Sequence, residues 1–107
     1  MQRQFPESDW KYWRKVSQVA RERYCTRILH EVAQLAQGEG SAHSRYQALF
    51  KLIEERDETI ALVFNNPRRS TAFSQLATAV RDGIVTREEL SGFSEETQAL
   101  VALLKGL

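Results

Sequence analysis

The sequence predicts an all-α domain, a small bundle of four to five helices with a long N-terminal helix and an up-down start. Three observations carry that expectation. Apolar residues recur every three or four positions through each long segment, which is the helical period. Residues able to cap a helix stand ahead of those segments, and the two prolines and five glycines fall almost entirely between them. No segment alternates apolar and polar residues between turn residues, as a half-buried strand would.

The 107 residues leave room for one domain, 1–107, with residues 1–7 read as a flexible tail. Apolar residues make up 42% of the chain, enough for a core without covalent staples. The single cysteine, Cys25, allows no disulfide within the chain, which fits a cytoplasmic, reducing setting. No apolar run approaches the ~20 residues that span a bilayer, and the first residues lack the apolar stretch of a secretory signal.

Helix one is expected from Ser8 or Asp9, either of which can cap it, to about Gln37, ahead of Gly38-Glu39-Gly40. Trp13, Val16, Ala20, Tyr24, Ile28, Val32 and Leu35 mark its inner stripe. A helix of about 28 residues is about 42 Å long, whereas a compact domain of this size is only about 34 Å across. The helix must overhang, bend, or pack against a second copy.

Helix two is expected from Ser44, which has the capping-box spacing to Gln47. Tyr46, Leu49, Phe50, Ile53, Ile60 and Phe64 are read as its buried face. Asp57 is the one defect on that face, placed at its edge or against an arginine. Asn65-Asn66-Pro67 would end helix two and start helix three, since Asn caps and Pro suits the first helical position. Phe73, Leu76, Ala77 and Val80 form the third stripe, closed by Gly83. Thr86 and Glu89 have capping-box spacing, with Val85 and Leu90 placed as a hydrophobic staple, for a short fourth helix interrupted at Gly92. Ser94 caps a fifth helix carrying Ala99, Leu100, Val101, Leu103 and Leu104.

Motifs that resemble reaction or metal chemistry fail where the chemistry is needed. Asp82 to Glu89 mimics half of an EF-hand loop, but the first ligand positions fall on Thr78 and Val80, and valine offers no oxygen to a cation. Gln75 to Phe93 has helix-turn-helix spacing, yet its short second helix carries Glu88 and Glu89, which would repel phosphates. His30 and His43 lack ligand-spaced partners, and no His stands near Cys25 in sequence. The chain is therefore expected to be no enzyme, with no metal and no cofactor.

Two features point toward partners. Seven Lys/Arg stand against three Asp/Glu in residues 1–30, and three against six in residues 31–64. Within the basic part, Trp10, Trp13, Arg14 and Arg21 are of the types that dominate interface energies, and Lys15 joins Arg14 and Arg21 on one side of the helix, so these five are read as a partner surface. The second feature is Arg68-Arg69: a helix starting at Pro67 would aim free N–H groups and two guanidinium groups at one spot, suited to an anion. Arginines at a helix start oppose its dipole, so a carboxylate from Glu54, Glu55 or Glu58 is the simplest partner. The expected function is a helical protein–protein interaction module that self-associates as a homo-oligomer or docks on another protein. The alternative is a nucleic-acid-associated accessory protein using the basic, aromatic first helix; a membrane partner is not expected.

Overall fold

The computed structural model describes residues 4–106, and among them it is all-α, with no strand. Five α-helices follow in order: α1 (Glu7–Ala36), α2 (Ala42–Phe64), α3 (Ala72–Arg81), α4 (Arg87–Ser91) and α5 (Glu95–Leu104). A single 3-10 turn, Arg69–Thr71, leads into α3.

The long first helix is real, and overhang resolves its length. At 30 residues α1 is about 45 Å long, and the whole molecule measures 55 × 25 × 23 Å. The chain turns at residues 37–41, where Gly40 adopts φ +105°, and α2 returns alongside α1. Arg45 donates to the Ala36 carbonyl at 2.6 Å, and Arg56 meets Glu31 at 3.0 Å. Further back, Val63 and Phe64 lie beside Trp13 and Arg14.

The core occupies only one end of this hairpin. From α1 it takes Trp13, Val16, Ala20, Tyr24 and Ile28; from α2 it takes only Val63 and Phe64. Phe5 ahead of α1, Ala72, Leu76, Ala77 and Ala79 of α3, Ile84 and Val85, Phe93, and Val101 of α5 complete it. No residue of α1 beyond Ile28, and none of α2 before Val63, is buried. The rest of the two helices forms an arm that projects from the small helical body.

Several expected boundaries move, each for a physical reason. Residues 4–6 are not a loose tail: Phe5 is fully buried, edge-on to Phe73 at 4.8 Å and to Phe93 at 6.2 Å. Residues 1–3 lie outside the described residues. Neither Ser8 nor Asp9 caps α1, which begins at Glu7 with Pro6 in the cap position, two residues ahead of Ser8. Helix two is capped by Ser41 rather than Ser44; the Ser41 hydroxyl accepts the Ser44 N–H at 3.1 Å, and Ser44 Oγ turns back to the Ser41 carbonyl. No helix starts at Pro67. Asn66 sits at φ +51°, Arg68 is extended, and α3 waits until Ala72.

The second half of the chain follows its punctuation. Gly83 takes φ +69°, and the Ile84 N–H reaches back to the Ala79 carbonyl at 2.8 Å, closing α3. Thr86 and Glu89 form the expected capping box in both directions, and Ser94 caps α5 through the Thr97 N–H.

Candidate interaction surface

α1 serves as the platform on which the short helices are hung. Tyr12 donates to the Glu89 carbonyl at 2.9 Å, and Arg23 meets the Glu89 carboxylate at 2.6 Å while also donating to the Ile84 carbonyl. Burial alone would raise the Glu89 pKa. The hydrogen bond from Arg23, those within the Thr86 cap, and the Arg23 charge outweigh it and hold the carboxyl below its ordinary value. On the arm, the Arg56 guanidinium titrates above its usual range because it donates to Glu31, an effect that outweighs its partial burial.

The five residues expected to meet a partner divide between core and surface. Trp13 is 1% exposed and Trp10 packs half-buried against the core, so the tryptophans hold the fold together. Arg14, Lys15 and Arg21 are exposed. Arg14 and Arg21 stand one helical heptad apart and, with Ser17 and Gln18, line a cleft closed on the far side by Val63, Phe64 and Pro67. Among the described residues neither arginine makes an ion pair. The cleft holds about 190 Å³, below the roughly 300–1,000 Å³ of pockets that enclose a small ligand.

The anion cradle expected at Arg68 and Arg69 does not assemble. Arg68 is extended and Pro67 lies outside any helix, so no α-helix N-terminus forms beside them. Arg69 spends its Nε and Nη2 donors on the Phe5 carbonyl, at 3.2 and 2.7 Å, rather than on a carboxylate of α2. That contact ties the N-terminal segment to the α2–α3 connection. Arg68 remains exposed.

The largest correction concerns α2. Tyr46, Phe50 and Ile53, read as buried, are 65%, 55% and 44% exposed, and Tyr46 stacks on Phe50 at 6.5 Å. Leu49, Ile60 and Phe64 of the expected face are half-buried or buried, and the line turned toward α1 runs through Arg45, Leu49, Leu52, Arg56, Thr59 and Val63. Both sets repeat with spacings of four and three, so α2 carries two adjacent stripes, and a single neighbouring helix covers one of them. The doubled stripe is visible in the sequence, but which of the two a neighbour covers is not.

The uncovered stripe shares one side of the hairpin with part of α1. Tyr46 lines a shallow apolar dip with Ala36, and Phe64, on the same stripe as Tyr46, borders the Arg14–Arg21 cleft. Leu29, 68% exposed, lies on the α1 line that runs from Arg21 through Cys25 toward Ala36. One face of the arm is thus apolar over its outer part and basic where it meets the body. Asp57 sits on this face, exposed and without an ion pair among the described residues.

No group of three His, Cys, Asp or Glu side chains among the described residues is placed to hold a metal ion. No helix among them is long and apolar enough to cross a membrane. No family model matches the chain, and no curated protein or solved structure matches it either.

Proposed function

We propose that this protein is a non-enzymatic helical interaction module of the cytoplasm, acting by self-association or by docking on another protein through the projecting α1–α2 arm. The observation that carries the reading is the group formed by Leu29, Tyr46, Phe50 and Ile53, exposed on a two-helix arm that the core leaves uncovered. An arm of two helices has no interior of its own beyond a single seam, and a contiguous apolar face rimmed by charge marks an interaction site. Aromatic side chains supply large contact area at little cost in conformational freedom. Analytical ultracentrifugation over a wide concentration range, together with recovery of the tagged chain from native lysate, tests the reading. A monomer at every concentration that also brings down no partner refutes it.

A second reading, an accessory protein bound to nucleic acid, draws on Arg14 and Arg21, two guanidinium groups at the base of the arm that make no ion pair among the described residues. It loses the aromatic stacking expected of it, because Trp13 is enclosed in the core. Binding of this kind would weaken steeply with salt and drop when Arg14 and Lys15 become alanine. Absence of binding at low ionic strength removes it.

A further inference from the structure

We propose that the arm pairs with the arm of a second copy, α2 antiparallel to α2, so that each Tyr46 meets the partner's Asp57. This rests on the interaction-module reading and names both its partner and its surface. The stripe Tyr46, Phe50, Ile53, Asp57, Ile60 has the four–three spacing of a helix seam. It is uncovered from Tyr46 to Asp57, and Ile60 is half-buried.

Seam geometry then limits the register. In an antiparallel seam, a layer pairs the two kinds of stripe position, so Phe50 packs on the partner's Ile53. Moving four residues back on one helix and four forward on the other sets Tyr46 against the partner's Asp57. Two-fold symmetry supplies the same layers in reverse order, giving a central block of two Phe50 and two Ile53 side chains with a Tyr–Asp pair at either end.

Asp57, a defect for any apolar partner, decides between arrangements. A parallel pairing would bring the two Asp57 carboxylates together within an apolar seam, where like charges repel without water to screen them. The antiparallel pairing gives each carboxylate a phenol hydroxyl as donor. Neither group is committed elsewhere: Tyr46 makes no side-chain hydrogen bond and Asp57 no ion pair among the described residues. The antiparallel arrangement also sends the two helical bodies to opposite ends.

The open area of the exposed apolar side chains supplies part of what a specific dimer needs. At the exposures above, Leu29, Tyr46, Phe50 and Ile53 leave roughly 400 Å² open per copy, taking 150–250 Å² for each aromatic side chain. Two copies would cover about 800 Å² before Ala33, Ala36, Gln47 and Glu54 at the rim are added, against about 1,200–2,000 Å² in total for specific interfaces.

The test is analytical ultracentrifugation of the full chain from low to high micromolar concentration, with circular dichroism to confirm that each variant keeps its helix content. The wild type is expected to dimerise, and Phe50→Glu to weaken the dimer by about 100-fold or more while remaining folded. Tyr46→Asp should separate the copies by facing the partner's Asp57, and the double variant Tyr46→Asp/Asp57→Arg should restore them. In a parallel pairing that double variant sets like charges together at both layers and restores nothing. A dimer that survives Phe50→Glu, or a double variant that stays apart, overturns this surface or register while self-association stands. A wild type that is monomeric throughout overturns the inference. The broader reading then rests on whether a lysate partner is recovered by the wild type and lost with Phe50→Glu.

Discussion

Asp9, in the first turn of α1, is the anchor of Ser94, the cap of α5: Oδ1 accepts the Ser94 N–H at 2.9 Å and Oδ2 accepts the Ser94 hydroxyl at 2.7 Å. The Thr97 hydroxyl donates to the same carboxylate, which is 3% exposed. One negative charge thus sits at the positive ends of two helices and satisfies three donors.

Replacing Asp9 by alanine strands those donors in a closed site. The expected cost is about 3 kcal/mol, on the order of 15 °C in Tm for a domain of this size. Thermal unfolding followed by circular dichroism measures it. A loss below about 0.5 kcal/mol would show that water replaces the carboxylate at no penalty.

The Arg23–Glu89 contact makes part of the stability depend on pH. The folded pKa of Glu89 lies below that of the unfolded chain, so the unfolded state takes up the proton more readily. The stabilisation is therefore complete above the ordinary carboxylate range near ~4.3, and is lost as pH falls through the lower, folded value. Glu89→Gln keeps a residue able to form the capping box but removes the charge. The difference in unfolding free energy between wild type and this variant should be constant at neutral pH and shrink on acidification. Because Arg23 is 42% exposed, solvent screening limits that difference to about 1 kcal/mol or less. A difference that does not change with pH would remove the ion pair from the account.

How far the sequence disclosed this architecture depended on the range of the interactions. Caps act within one turn, so Thr86–Glu89 and Ser94 were legible from spacing alone. Gly83 was equally plain, since its left-handed backbone is a local need. Asp9 was not: its partners stand 85 and 88 positions away, and a carboxylate near one helix start gives no sign that it serves another. Phe5 and Arg69 are hidden in the same way, joined across 64 positions. On the arm, periodicity showed that α2 has an apolar side but not how many neighbours cover it. Phe50, read as buried, therefore faces out, and Trp13, read both as part of the inner stripe and as a partner contact, serves the core. Helical period reports direction around the axis; coverage is decided by the remaining elements, and α3 to α5 are too short to reach the arm's outer part.

Gly92 illustrates a steric demand that spacing also concealed. Its φ of −78° suits any residue, so backbone freedom is not the reason for glycine. A Cβ there would run into the hydroxyl and ring of Tyr12, which is held between the Glu89 carbonyl and an edge-on contact with Phe93 at 4.7 Å. Gly92→Ala should therefore destabilise by about 2 kcal/mol despite alanine's better helix propensity, within the usual cost of overpacking. Tyr12→Ala forfeits the hydrogen bond but vacates the space. In that background the alanine at 92 should be close to neutral, and denaturant melts of the four-member cycle would reveal the coupling. Additive effects would place the strain elsewhere.

The arm should also differ from the body in how readily its backbone opens. Beyond Ile28 in α1 and before Val63 in α2 no residue is buried, and the two helices are tied there by Arg56–Glu31, by Arg45 on the Ala36 carbonyl, and by half-buried leucines. With few apolar contacts to break, local opening costs much less than global unfolding. At high dilution, amides in the outer halves of both helices should exchange faster than those of α3 and of α1 around Trp13. Raising the concentration should slow exchange at Tyr46 to Asp57 selectively, because pairing of the arms removes those helices from solvent and links their opening to dissociation. Hydrogen exchange read by mass spectrometry at two concentrations resolves the two regions. Equal protection along α1 would mean that its seam with α2 alone secures the arm, and a concentration effect confined to the body would move the contact between copies away from Phe50.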